Sequence, residues 1–314
     1  MEICSTINTI SEYLTIIKEL NSSYTINRMA NSPNEIKFIY RGISDASYEL
    51  LPSIFRKVTN YDEAVDSCIR NYKYLSFDSE VKILKEFIEN ACGYIRNLPL
   101  KPTYEWVEYA QHHGVPTRFL DWSENPLVAL YFACKDNKPS YSQKNNTDGK
   151  DAGVWMIHMN NYRRKANQTY DAINSSDTKI KLTIAKTINK IYENNILFEY
   201  PLVYKPYYKD PRMSAQSSLF MVWGKDKKPL DCFFSEDNYM RSNENNEERF
   251  FSTKQEKGII YKFYIHQSSK QSILRELNLL GINEKNLFPG LDGIGRYIEM
   301  KYRLNYPEIF DCII

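Results

Sequence analysis

The sequence predicts an α+β protein built as a single domain, and three observations support that fold class. Apolar residues recur at helical spacing in the first half of the chain, whereas most strand-like segments lie in the second half. This order favours segregated helices and strands over the strict alternation of a doubly wound sheet. The 314 residues suffice for one large core without an internal repeat or a distinct linker, so we expect one domain over residues 1–314.

The chain begins with MEICSTINTISEYLTIIKEL, which we interpret as an amphipathic helix. Acidic residues interrupt its apolar pattern and no basic region precedes it, so it does not resemble a signal peptide. We therefore expect residues 1–35 to form a helical extension and the domain core to span about residues 36–300.

Helix ends and strands are then predicted in order along the chain. Gly114 with Pro116 indicates one helix end, Asn125 with Pro126 indicates a capped helix start, and Gly281 closes a later helix. Two long polar stretches, 137–151 and 236–257, are typical of surface loops. The predicted helices span about 77–96, 104–113, 125–136, 180–191, 269–280 and 289–302, and the predicted strands span about 37–42, 153–159, 196–204, 217–223 and 259–265.

Composition excludes several functional classes. The formal charge of +2 provides no electrostatic footprint for nucleic acid or a membrane surface, and no apolar run approaches the roughly 20 residues of a membrane span. Six scattered cysteines form no CxxC pair, as is typical of reduced thiols in the cytoplasm, where we place the protein. P-loop, dinucleotide and HExxH motifs are absent from the sequence, and its four histidines are not spaced as metal ligands, so we predict no metal.

Three segments embed polar residues between apolar ones in an unusual way. They read FIYRG at 38–42 with LPSIFR at 51–56, AQHHGVPTRFLDWSENPLVALYFA at 110–133, and RMSAQ at 212–216. Together with the closing FPGLDGIGRYI they resemble the FRG family, named for the aromatic-Arg-Gly motif that Tyr40-Arg41-Gly42 fits. The resemblance implies the family fold and a link to toxins or to defence against phage.

Several of these side chains are suited to holding an anion. Arg41 ends a strand at a flexible turn, so its guanidinium can grip a phosphate or carboxylate with two hydrogen bonds. Ser123 and Asn125 lie where a helix begins and its free N–H groups favour anions. His112, Arg118 and Asp121 lie just upstream and are candidates for the same pocket. A structural alternative remains open for Arg41, which can instead pair with a core carboxylate such as Asp121.

A strand ending in Arg-Gly, followed later by a serine before an apolar helix, also resembles the Arg–Ser–Glu class of ADP-ribosyltransferases. This resemblance implies mixed sheets and NAD as the substrate, with Arg41 anchoring its phosphates and ribose and Ser123 beside the nicotinamide. The predicted catalytic residues are Arg41, His112, Ser123 and Gln216, and the predicted ligand-binding residues are Tyr40, Arg41, Gly42, Arg118, Asp121 and Asn125.

The catalytic glutamate of that class has no counterpart in RMSAQ, which offers Gln216 and no acid. An amide cannot stabilise an oxocarbenium-like centre as a carboxylate does. Glu199, on the preceding predicted strand, is the candidate that could replace the missing acid in space. Two other functions stay open. One is a non-catalytic module that binds a nucleotide or a partner, and the other is a metal-independent nuclease that uses His112 with Arg41 and Arg118. The acceptor of a transferred group, whether protein or nucleic acid, is not predicted.

Overall fold

A computed structural model describes residues 2–25, 38–56, 76–95, 98–135, 150–166, 178–193, 198–206, 210–234 and 258–305. The predicted loops 137–151 and 236–257 lie almost wholly outside these residues. The strands are β1 (Glu2–Ile7), β2 (Phe38–Ile43), β3 (Phe119–Ser123), β4 (Ala152–His158), β5 (Leu202–Tyr204), β6 (Ser218–Val222) and β7 (Ile260–Ile265). The helices are α1 (Ile10–Thr25), α2 (Phe77–Ala91), α3 (Tyr104–His112), α4 (Pro126–Cys134), α5 (Met159–Lys165), α6 (Thr178–Tyr192), α7 (Pro211–Ala215), α8 (Lys270–Leu279), α9 (Glu284–Leu287) and α10 (Leu291–Asn305).

The strands form one mixed sheet in the order β1-β7-β4-β2-β3-β6-β5. The β1–β7 pair is parallel and the other pairs are antiparallel. Buried apolar side chains cover both faces, one beneath α1, α4 and α8 and the other beneath the segments around residues 50–55 and 230–234. A third group packs α2, α3 and α6 against β3, β5 and β6. The predicted combination of helices with a mixed sheet is therefore confirmed.

The beginning of the chain differs from the prediction. Glu2–Ile7 is a strand that pairs with β7, and the helix begins only at Ile10. Ile7, Ile10 and Tyr13 are buried in the main core, so these residues do not form a helical extension outside it. The prediction was wrong because the partner strand β7 lies at the far end of the chain, where local periodicity cannot detect it.

The first half of the chain contains the predicted helices, but four of the seven strands also lie before residue 159. The strand that we missed, β3, pairs with β6 over five residues and occupies the middle of the sheet. Its residues Phe119 and Trp122 are buried in different apolar clusters, so the segment lacks the polar alternation of a half-exposed strand. Most other predicted boundaries agree with the structure to within a few residues, including the ends at Gly114 and Gly281, which adopt positive φ.

The sheet opens between β2 and β3. These strands share a single rung, at Tyr40 and Ser123, whereas β2 pairs with β4 over six residues. Beyond that rung the end of β2 and the start of β3 separate. We call the opening between residues 41–43 of β2 and residues 119–122 of β3 the fork.

Candidate functional site

Arg41 lies at the fork. Strand alternation places its side chain on the same sheet face as Ile39 and Ile43, and its Nη1 donates to the backbone oxygen of Asp121 at 2.5 Å across the opening. Desolvation lowers the pKa of the Arg41 guanidinium to about 10, while Asp121 opposes the shift and Arg56 adds to it. A guanidinium carries five N–H donors, and this is the one hydrogen bond that Arg41 forms with the described residues. The remaining N–H groups of Arg41 are therefore available to donate to a ligand that is rich in acceptors.

Asp121 also acts electrostatically on two more arginines. Arg56 Nε donates to the backbone oxygen of Leu51 at 3.0 Å, and burial lowers the pKa of Arg56 against the opposing effects of Tyr48 and Asp121. Burial also lowers the pKa of Arg212, with Asp121 again opposing the shift. We call Arg41, Arg56 and Arg212 the arginine cluster. Within the described part of the chain, none of the three forms an ion pair with a carboxylate.

Asp121, which acts electrostatically on all three members of the arginine cluster, is exposed. Its carboxylate accepts from Gln111 Nε2 at 2.6 Å, and Thr117 Oγ1 in turn donates to Gln111 Oε1 at 2.5 Å. The expected pairing of Arg41 with Asp121 therefore uses the backbone oxygen instead of the carboxylate. Asp121 acts electrostatically on all three arginines, and Asp210 and Glu284 act on Arg212 as well, but none of these carboxylates forms an ion pair with the cluster among the described residues.

His112 ends α3 close to this group. Its Nε2 lies 3.4 Å from Asp210 Oδ2, and Asp210 also caps α7 by accepting from the backbone N–H of Arg212 at 2.7 Å. Burial lowers the pKa of His112 below its usual value. Asp210 opposes this shift, whereas Arg212 and His113 strengthen it. The lowered pKa favours the neutral imidazole, the form that can accept a proton.

The segments next to the Tyr40–Ser123 rung are connected by hydrogen bonds of Ser123, Asn125 and Gln216. Ser123 Oγ donates to the backbone oxygen of Gln216 at 2.8 Å and accepts from the N–H of Asn125 at 3.0 Å. Asn125 caps α4 as predicted, accepting from Leu127 N–H at 2.9 Å, and Gln216 Nε2 donates to the backbone oxygen of Leu287 at 2.9 Å. These bonds connect α4, α7 and α9, so all three side chains have structural roles.

Tyr40 and Gly42 lie on the face of β2 that packs against α4. Tyr40 is buried beside Tyr13 on the face that packs against α4, and burial raises its pKa. A Cβ at Gly42 would lie 1.8 Å from the backbone oxygen of Ala129, so only glycine permits α4 to approach β2 this closely. The close packing of α4 against β2 thus explains why residue 42 is a glycine.

Arg118 does not join the arginine cluster. Its side chain is buried and forms two hydrogen bonds with Glu80, Nε to Oε1 at 2.6 Å and Nη2 to Oε2 at 2.5 Å. Its Nη1 donates to the backbone oxygens of Trp223 and Gly224. The prediction that Arg118 binds the ligand conflicts with this arrangement, because Glu80 of α2 and two carbonyls already occupy the guanidinium.

The glutamates close to Ser123 and Gln216 in the sequence or on neighbouring strands do not supply an obvious catalytic acid. Glu199 is exposed before β5 and lies at the opposite end of the β5–β6 pair from Gln216. Glu124, next to Ser123, lies 2.5 Å from Lys205 Nζ. Among the residues that the structure describes, no three His, Cys, Asp or Glu side chains are grouped to hold a metal, and no helix has the length and apolar character of a membrane span.

Sequence reasoning missed two members of the arginine cluster. Arg56 and Arg212 each lie in a segment that carries the family resemblance, LPSIFR and RMSAQ respectively. Their positions within these motifs were the available signal. Their meeting around Asp121 depends on tertiary packing that no local pattern reveals.

Comparison with known proteins identifies one family. Residues 36–142 match the family model described as the FRG domain, and this range contains Arg41, Arg56 and Asp121 but not Arg212. Searches of curated proteins and of solved structures gave no match. The resemblance to the FRG family is confirmed over this range, and the chain contains an FRG domain.

Proposed function

We propose that the fork binds an anionic nucleotide, with NAD as the preferred candidate, and that the protein is an ADP-ribosyltransferase-like effector. The arginine cluster carries this proposal: burial lowers the pKa of Arg41, Arg56 and Arg212, and none of the three has an ion-paired carboxylate among the described residues. A charged group that is partly desolvated and unpaired is costly to keep in a fold. A bound diphosphate would offset that cost.

The chemistry of the cluster favours phosphate over other ligands. Guanidinium groups bind phosphate oxygens through paired N–H donors, and partial burial strengthens each contact relative to water. The pKa of Arg41 is lowered by burial and by nearby Arg56, and an anion between the two guanidinium groups would reverse both effects. A diphosphate is long enough to contact more than one arginine.

In the proposed reaction, the bond between ribose C1′ and the nicotinamide nitrogen breaks and nicotinamide leaves with the bonding electrons. An acceptor nucleophile on a protein or nucleic acid, or water, forms the new bond to C1′ and loses a proton. The arginine cluster would hold the diphosphate and orient the ribose. Neutral His112 is the available base, and the carboxylate that stabilises C1′ is unassigned. A role in toxicity or phage defence follows from the family resemblance alone.

A non-catalytic nucleotide-binding module is the second candidate, and the carboxylates around the cluster favour it. Asp121 is bound by Gln111, Asp210 caps α7, and Glu124 lies against Lys205. Such a module would bind NAD without turnover. The nuclease alternative has less support, because Arg118 is occupied by Glu80 and is not available for a scissile phosphate.

The test is incubation of the purified 314-residue chain with NAD labelled in the nicotinamide ring. Binding would be followed by calorimetry and nicotinamide release by chromatography, with Arg41→Ala beside Arg275→Ala, an exposed arginine on α8. Release that is lost in Arg41→Ala and kept in Arg275→Ala would support the transferase. Binding without release would support the module. Absence of both in the wild-type protein would refute nucleotide binding at the fork.

A further inference from the structure

The four tryptophans of the chain differ in how their indole N–H groups are satisfied. Trp106 Nε1 donates to the backbone oxygen of Pro99 at 2.8 Å, and Trp223 Nε1 donates to that of Lys228 at 3.0 Å. Trp122 and Trp155 are 3% and 2% exposed, and their buried Nε1 atoms have no hydrogen-bond partner in the described part of the chain. Two equivalent donors are thus satisfied and two are not.

Both unsatisfied tryptophans flank Arg41. In the β2–β4 ladder Arg41 is directly opposite Trp155. On the other side, Tyr40 is opposite Ser123, so the next position along β3 toward the fork is Trp122. Trp122 and Trp155 belong to the same apolar cluster and therefore lie on the same sheet face as Arg41. Two strand spacings, about 10 Å, separate the two tryptophan positions, with Arg41 between them.

The side chains of Trp122, Arg41 and Trp155 form a row of hydrogen-bond donors that contains no acceptor. An unsatisfied buried N–H is destabilising, and native proteins leave few of them. Here two indole N–H groups lie beside a guanidinium that uses one N–H on the described residues. All of these groups donate and none accepts, so the missing partner must be rich in acceptors. A phosphate group has that chemistry, whereas a cation or an apolar ligand does not.

We propose that Trp122 and Trp155 are ligand-binding residues whose indole N–H groups donate to the diphosphate oxygens of the nucleotide held by Arg41. The inference rests on the proposed nucleotide binding and deepens it, because it assigns recognition of the diphosphate to the face of the sheet beside Arg41. Both indoles are buried, so the ligand reaches them through the fork. Structural water or a neighbouring carboxylate such as Asp231, whose Oδ1 is also unsatisfied, is the competing partner.

Indole N–H signals in nitrogen-15 NMR spectra test this directly. The 314-residue chain has four tryptophans and so gives four indole signals, which single Trp→Phe variants assign; three variants are enough if one does not fold. NAD and inorganic pyrophosphate are titrated as separate probes, with nicotinamide as the probe that lacks phosphate. We expect NAD and pyrophosphate to shift the Trp122 and Trp155 signals, and nicotinamide alone to shift neither. The Trp106 and Trp223 signals serve as internal controls.

Affinity provides the second measurement. Trp122→Phe and Trp155→Phe keep an aromatic side chain, although a smaller one, and remove the indole N–H, so each should weaken NAD binding roughly tenfold, the effect of losing a hydrogen bond to a charged group. Trp106→Phe and Trp223→Phe should leave the affinity unchanged. If calorimetry shows NAD binding that requires Arg41 while the Trp122 and Trp155 signals do not move, the inference is wrong and the proposed function stands. If NAD does not bind the wild-type protein, the proposed function fails first.

Discussion

Replacing Arg118 should destabilise the fold without weakening the anion site. Arg118 and Glu80 are both buried and share two hydrogen bonds of 2.6 and 2.5 Å. Removing one member of such a pair leaves an uncompensated buried charge and costs about 3–5 kcal/mol. For 314 residues, an unfolding entropy of about 2.1 cal/mol/K per residue gives roughly 0.66 kcal/mol/K, so Arg118→Met should lower the Tm by about 5–8 °C.

The assay is urea and thermal unfolding of Arg118→Met, Glu80→Leu and the double variant. The double variant should lose less stability than the sum of the single variants, because it leaves no unpaired charge in the interior. NAD affinity should be unchanged in every variant below its Tm. A loss under about 1 kcal/mol in Arg118→Met, or a selective loss of NAD binding in a folded protein, would refute the structural role of Arg118.

Three further predictions follow from the same contacts. Gly42→Ala should lower the free energy of unfolding in urea by more than about 3 kcal/mol, because the added Cβ would collide with α4. Gly295→Ala should not destabilise the protein, because its Cβ would contact nothing within 4 Å. Equal stability of the two variants would contradict the packing argument. The lowered pKa of His112 means that the unfolded state takes up a proton before the folded state does as the pH falls through about 6.5. Wild-type stability should therefore decrease between about pH 7.5 and pH 5.5 more than that of His112→Gln, and parallel urea-unfolding profiles would argue against it. Asp121→Asn removes a carboxylate roughly 6 Å from a bound anion, a repulsion of about 0.7 kcal/mol in water for each unit of ligand charge, so pyrophosphate should bind at least about threefold more tightly by calorimetry. Weaker binding would mean that Asp121 contacts the ligand favourably.

Local sequence predicted those parts of the fold that depend on local interactions. The amphipathic periodicity of α2 and α6, the cap at Asn125 and the glycine at 281 each lie within one segment, and the structure agrees with them. The strands β1 and β3 were missed because their character depends on distant partners. β1 pairs with β7 near the other end of the chain, and β3 is covered on both faces by other elements.

The candidate site could be predicted only in part for the same reason. Arg41 was identified because its motif is compact, and the structure places it at an opening in the sheet. Arg118 was included because it lies just upstream of Ser123 in the sequence, yet Glu80 arrives from another helix and binds its guanidinium in the interior. Arg56 and Arg212 meet near Asp121 through packing between segments that are far apart in the chain.

Calorimetric titration of NAD into four variants tests the central claim most directly. The variants are Arg41→Ala, Arg56→Ala, Arg212→Ala and the exposed control Arg275→Ala, each confirmed as folded by its thermal transition. If the arginine cluster binds the diphosphate, the first three should each lose roughly tenfold or more in affinity, the loss should shrink at high salt, and Arg275→Ala should match the wild type. Wild-type affinity in all three cluster variants would contradict nucleotide binding at the fork.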